Sequence, residues 1–179
     1  MTRTPPVKLA HIVLRTTRFV EMKEWYKLVL MAAPVFEDDH LSFLTYDEEH
    51  HRIAVLGMNS LDEPRPGTAG VDHVAFTFAD LQALAANYEF LKGRGISPYW
   101  CINHGPTTAM YYRDPDGNQL ELQIDNFDTD EELERFFATG AFDANPTGLE
   151  FDPEVLVSEL AGGVPVDELR RRDHWLQTR

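Results

Sequence analysis

Two short apolar segments of this 179-residue chain each carry one histidine, about sixty residues apart. The first is Leu9-Ala10-His11-Ile12-Val13-Leu14 and the second is Val71-Asp72-His73-Val74-Ala75-Phe76. A third segment, Gln119-Leu120-Glu121-Leu122-Gln123-Ile124, sets a carboxylate among alternating aliphatics. Two imidazoles and one carboxylate suit divalent iron, or a similar ion that keeps open coordination positions. Taken singly, a polar residue in a strand usually just faces water. These three rise above that ordinary reading because they recur within a repeated framework.

Further histidines stand at strand entries. The His50-His51 pair precedes Arg52-Ile53-Ala54-Val55, and His104 lies in Asn103-His104-Gly105-Pro106. Residue habits alone make each a solvent-exposed turn histidine, and His40 and His174 offer nothing more. The single cysteine, Cys101, excludes an internal disulfide and a thiolate cluster and reads as a small buried side chain.

The framework repeats. After the His11 strand (9–14), apolar residues Phe19, Met22, Tyr26, Val29 and Leu30 have helical spacing, with Thr17 as a candidate N-cap. Extended stretches follow at 34–36, 41–45 and 52–56, and 59–70, with Pro64, Pro66, Gly67 and Gly70, reads as a linker. The His73 strand then runs to Phe78, and Asp80 caps a helix with Leu81, Leu84, Tyr88 and Leu91 on one face. Strands at 97–102 and 108–113, the turn Asp114-Pro115-Asp116-Gly117-Asn118 and the Glu121 strand close the second unit. Each half therefore reads strand, helix, three strands. Beyond Phe127 the pattern turns helical: 130–138, a helix opened by Asp152-Pro153, and 165–175, with a loop over 140–151.

Strand alternation puts His73, Ala75 and Thr77 on one face, and Gln119, Glu121 and Gln123 on one face of the last strand. The aliphatic faces are free to cover the helices. If the polar faces of the two halves curve toward one another, His11, His73 and Glu121 converge. A five-residue loop at 114–118 pairs Arg113 with Gln119, and hence Tyr111 with Glu121; one residue more or less would bring Tyr112 there instead.

Acidic residues outnumber basic ones, 30 to 16, so no basic stripe is available for nucleic acid. From Asn126 to Arg179 there are 13 acids against 5 arginines, which reads as solvated tail surface. No apolar run is long enough for a bilayer, and Met1-Thr2-Arg3-Thr4-Pro5-Pro6 has no apolar signal core, so a cytoplasmic protein is expected.

The tandem modules and the run Tyr-x-x-Asp-Pro-x-Gly-Asn-x-x-Glu, Tyr111 to Glu121, resemble the vicinal oxygen chelate superfamily over roughly Lys8 to Asp125. The resemblance implies an α+β fold in which tandem βαβββ modules form a curved mixed sheet around a metal site. The modules are 8–58 and 70–125, with a helical C-terminal extension over 126–179. The superfamily includes glyoxalase I, type I extradiol catechol dioxygenases and bleomycin-binding resistance proteins. Glyoxalase-type members use an acid on the last strand of each module, and the first-module counterpart of Glu121 here is Ala54. Extradiol enzymes use two histidines and one glutamate, as His11, His73 and Glu121 would supply. Their His-x-x-Ala element is matched by His51 to Ala54, and their upstream histidine and tyrosine by His104 and Tyr111, although His104 stands close to Tyr111 for that pattern.

On this resemblance, Fe(II) would be held by His11, His73 and Glu121, and Mn(II) accepts the same donors. The implied activity is cleavage of a catechol ring with O2, both of whose atoms enter the product. His51 would act as acid–base residue, with His104 and Tyr111 hydrogen-bonded to the substrate. The partners are then a small catechol and O2, with neither nucleic acid nor membrane. A homo-oligomer is expected, because large members carry two module pairs and this chain has one. Two other readings stay open: a glyoxalase-like metal-dependent isomerase or lyase, and a metal-free small-molecule binding protein of the resistance type.

Overall fold

Apolar residues spaced for helices and strands give, in a computed structural model, an alternating chain of both. The structure describes residues 3–62, 67 and 69–176; Pro64 and Pro66 of the expected linker lie outside them. The order is β1 (Ile12–Thr16), α1 (Phe19–Val29), β2 (Ala33–Glu37), β3 (Leu41–Thr45), β4 (Ile53–Gly57), β5 (His73–Thr77), α2 (Leu81–Lys92), β6 (Trp100–Asn103), β7 (Thr107–Arg113) and β8 (Gln119–Asp125). The remainder comprises α3 (Asp130–Ala138), α4 (Ala141–Ala144), β9 (Leu149–Glu150), α5 (Pro153–Ala161), α6 (Val166–Leu169) and a 3-10 helix, Arg172–Leu176. Two compact units result: one runs to Gly70 and takes in Asp114–Gly117, the other comprises Val71–Arg113 and Asn118–Arg179. The tail is thus grouped with the second module.

In the first unit four strands lie in the order β1-β4-β3-β2, with β1 parallel to β4. Helix α1 presents Met22, Tyr26 and Val29, one stripe at helical spacing, and packs on β3 and β4. Leu44, Ile53 and Val55 are fully buried; each such side chain contributes about 1.5–3 kcal/mol by leaving water. The Tyr26 hydroxyl donates to Oδ2 of Asp114 at 3.0 Å, both residues being buried.

In the second unit the order is β5-β8-β7-β6-β9, again with one parallel pair, β5 and β8. Asp80 caps α2 by accepting from the Ala83 N–H at 2.7 Å. Leu81, Leu84, Tyr88 and Leu91 are buried, and α2 packs on β8 and α5.

Register reveals the repeat more sharply than element order does. In the first unit Ala54 of β4 pairs with Val13 of β1, two residues after His11, and with Phe43 of β3. In the second, Glu121 of β8 pairs with Ala75 of β5, two residues after His73, and with Tyr111 of β7. Ala54 and Phe43 therefore occupy the register positions of Glu121 and Tyr111.

Several boundaries differ from the sequence reading. His11 precedes β1 instead of lying inside it. Helix α1 starts after Arg18, and Thr16, not Thr17, closes its entry by accepting from the Arg18 N–H at 2.8 Å. The expected loop 140–151 contains α4 and β9, and the expected helix 165–175 is split into α6 and the 3-10 turn. Short tail elements have too few residues to show a period. Among the described residues, no helix is long and apolar enough to cross a membrane.

Candidate metal and substrate site

The first unit brings His11 and His51 together. Arg52 sets this up: its Nη1 donates to the carbonyls of Leu9 (2.7 Å) and Ala10 (3.2 Å), and its own carbonyl accepts from the Ile12 N–H at 3.0 Å. The chain on either side of His11 is thereby fixed to the residue after His51. The His51 ring is stacked between His11 (centroids 4.2 Å apart) and Phe43 (4.3 Å, planes at 8°). His50 Nδ1 lies 2.6 Å from His51 Nδ1. Burial first, and then the neighbouring His11 and His50 rings, hold the His51 imidazole below its ordinary pKa, favouring the neutral ring. His51 is 8% exposed, which removes it from the class of solvent turn histidines.

The second unit gathers four of the singled-out side chains. His73 Nε2 stands 3.1 Å from Oε2 of Glu121, and its Nδ1 is 2.8 Å from Oδ2 of Asp72. The hairpin register pairs Tyr111 with Glu121 and Arg113 with Gln119. Tyr111 sits edge-on to His73 at 5.4 Å, and its hydroxyl is 3.1 Å from Nε2 of His104. Burial, and then the Glu121 carboxylate, push the Tyr111 phenol well above its usual range, so it stays protonated and able to donate. Trp100 packs on Tyr111 at 4.9 Å and meets His104 edge-on at 5.7 Å.

A polar network fixes the turn that carries His104. Asn103 Oδ1 accepts from the Gly105 N–H at 2.9 Å, and Asn126 Nδ2 donates to the Gly105 carbonyl at 2.9 Å. Thr108 Oγ1 donates to Asn126 Oδ1 at 2.8 Å and accepts from Asn103 Nδ2 at 3.1 Å. Asn103, Thr108 and Asn126 are buried, so these bonds satisfy groups that water does not reach. Sequence reading missed this network and also Asp72; the only available signal for Asp72 was its adjacency to His73.

Other candidates fall away. Cys101 is buried and its thiol is pushed up to about 12, chiefly by burial, so it is no nucleophile. His174 pairs with Glu159 at 2.7 Å. A cavity of about 790 Å³ in the second unit is lined by residues including Phe127, Phe136, Leu149 and Arg172, but not by His73, Tyr111 or Glu121. Among the described residues, no group of three His, Cys, Asp or Glu side chains is gathered as a metal site.

The model of the Glyoxalase/Bleomycin resistance protein/Dioxygenase superfamily matches residues 8–122. The chain belongs to this superfamily. It is 48% identical over 179 residues to biphenyl-2,3-diol 1,2-dioxygenase 2 of Rhodococcus globerulus, covering 99% of this chain and 93% of that protein. It is 44% identical over 180 residues to biphenyl-2,3-diol 1,2-dioxygenase 3 of the same organism, covering 99% and 94%. Among solved structures, lactoylglutathione lyase from Agrobacterium tumefaciens matches with a TM-score of 0.54 at 18% identity, over 68% of this chain and 96% of that one. A fosfomycin resistance protein from Listeria monocytogenes matches with a TM-score of 0.55 at 18% identity, over 73% and 99%. These structural likenesses speak to the superfamily's fold. The two dioxygenases extend over the tail as well.

Proposed function

We propose that this superfamily member is an extradiol dioxygenase that cleaves a catechol of the 2,3-dihydroxybiphenyl class with O2 at a mononuclear Fe(II) site. The observation that carries the reading is the near full-length similarity to two biphenyl-2,3-diol 1,2-dioxygenases, tail included. His11, His73 and Glu121 are the assigned ligands, and the donor chemistry of the second unit suits a metal. Asp72 accepts from Nδ1 of His73, which leaves Nε2 as a lone-pair donor beside the Glu121 carboxylate. The absence of an acid at Ala54 favours this set over the four-ligand pattern of the glyoxalase type. Held by these three residues, divalent iron would supply the Lewis acidity that makes a catechol hydroxyl more acidic, and open positions for catechol and O2.

The remaining tasks belong to the chain's own groups. Nε2 of His104 accepts the single O–H of the Tyr111 phenol, and Tyr111 turns that O–H to a substrate oxygen when a catechol binds. His51, neutral and held flat between two rings, takes the catechol's second proton and returns it to the opening product. One ring carbon–carbon bond breaks next to the hydroxyls, the substrate is oxidised, and both oxygen atoms of O2 enter the product. We also assign a homo-oligomer, measurable by light scattering. The function is tested by loading the protein with Fe(II) without air, then admitting oxygen with catechol, 2,3-dihydroxybiphenyl or protocatechuate. Cleavage should require iron and favour 2,3-dihydroxybiphenyl. Failure with all three, together with oxygen-independent isomerisation of a glutathione hemithioacetal, would replace this reading with the glyoxalase one.

A further inference from the structure

The loop before β9 and the 3-10 helix converge on one histidine of the second unit. We propose that residues 145–148 and Arg172 form a positioning clamp that holds His104 as its Nδ1–H tautomer, with Nε2 directed at Tyr111. The catalytic consequence rests on the dioxygenase reading; the tautomer rests on geometry alone.

The Thr147 carbonyl lies 2.5 Å from Nδ1 of His104. A carbonyl only accepts, so the ring nitrogen facing it carries the proton. In the neutral ring Nε2 is then bare, 3.1 Å from the Tyr111 hydroxyl. The nitrogen turned toward Tyr111 is thereby fixed as a hydrogen-bond acceptor. A histidine lacking that carbonyl could present either nitrogen.

Three features fix the carbonyl. Asn145 closes the loop on itself, its Nδ2 donating to the Gly148 carbonyl at 2.8 Å and its Oδ1 accepting from the Gly148 N–H at 3.0 Å. Gly148 has φ +110° and no room for a side chain, because a Cβ would run into the Asn103 carbonyl and lie 2.8 Å from Cα of His104. Arg172 ties the loop to the His104 turn: Nη2 donates to the Asn145 carbonyl at 2.6 Å, and Nη1 is 3.5 Å from the His104 carbonyl. Just beyond the loop, Leu149 of β9 pairs with Asn103 of β6. Asn145, Gly148 and Arg172 are therefore positioning residues that act through His104.

The test uses the full chain, labelled with 15N-histidine and free of paramagnetic metal, with long-range 1H–15N spectra reporting the tautomer of each ring. His104→Gln assigns the signal. Wild type should show His104 with Nδ1 protonated and Nε2 bare. Asn145→Ala and Gly148→Ala should mix the tautomers and, in the iron-loaded enzyme, lower kcat about 10-fold or more, with a smaller change in KM. Arg172→Lys should preserve the wild-type spectrum better than Arg172→Met. A wild-type His104 protonated at Nε2 overturns the proposal, as do folded variants that keep both the wild-type spectrum and kcat. If the variants fail to fold, the wild-type spectrum alone decides. A wild type that opens no catechol, yet shows an Nδ1–H ring lost in the variants, refutes the dioxygenase reading while the clamp stands.

Discussion

In the second unit, Nε2 of His73 and Oε2 of Glu121 stand 3.1 Å apart, with Asp72 holding the far nitrogen of the same ring at 2.8 Å. To a metal, such a pair offers a nitrogen and an oxygen donor side by side. Glu121→Ala should therefore abolish stoichiometric iron and turnover together, since two neutral imidazoles lack the third donor and its charge. Iron content by elemental analysis, measured beside oxygen uptake, checks this. A variant that keeps full iron and normal turnover removes Glu121 from the ligand set.

His51 lies outside that set, stacked between His11 and Phe43. His51→Ala should retain iron and lose roughly 100-fold in kcat, the range of ordinary acid–base assistance. Loss of iron would make it a ligand, and wild-type turnover would deny it any catalytic part.

The tail should be integral to the second unit. Trp175 is fully buried, packs on Phe151 at 4.9 Å and donates Nε1–H to the Leu169 carbonyl at 3.2 Å. Trp175→Ala should cost about 3–5 kcal/mol, as for other large buried aromatics, and truncation before Asp128 should cost more. Thermal melts test both, and unchanged melting temperatures would show the tail to be dispensable.

A pH signature is expected on the first unit. Glu37 receives Lys23 and Lys27, each at 2.8 Å, and these bonds, Lys23 first, hold its carboxyl at about 2 against an ordinary 4.5. A depressed folded-state pKa stabilises the fold above the ordinary value, and that stabilisation is lost as pH falls through the folded value. Glu37→Gln should thus lower Tm at pH 7, with the gap to wild type closing between about pH 4.5 and 2. A gap independent of pH would assign the effect to packing.

The sequence disclosed what is carried by short-range rules. Asp80 as a cap, the stripe of α1 and the pairing of Tyr111 with Glu121 follow from local periodicity and loop length, and the structure has all three. The equivalence of Ala54 with Glu121 was legible because both modules keep one register. What stayed hidden depends on chain distant in sequence. The Thr147 carbonyl at His104 joins segments 43 residues apart, and Asn126 Nδ2, donating to Asn103 Oδ1 at 3.2 Å, joins segments 23 apart. Thr147 acts through its backbone, which leaves no mark in residue type. The stacking of His51 on Phe43 was likewise invisible, since an aromatic in a strand ordinarily reads as core.

The central claim is oxygen-dependent ring cleavage, and the most direct measurement is the ratio of O2 consumed to 2,3-dihydroxybiphenyl consumed by the Fe(II)-loaded protein. An oxygen electrode follows one reactant while absorbance follows the ring-opened product. One O2 per catechol is expected, with a yellow product from the conjugated ring-opened chain. Catechol left intact by iron-replete protein, with no oxygen uptake, would contradict the account.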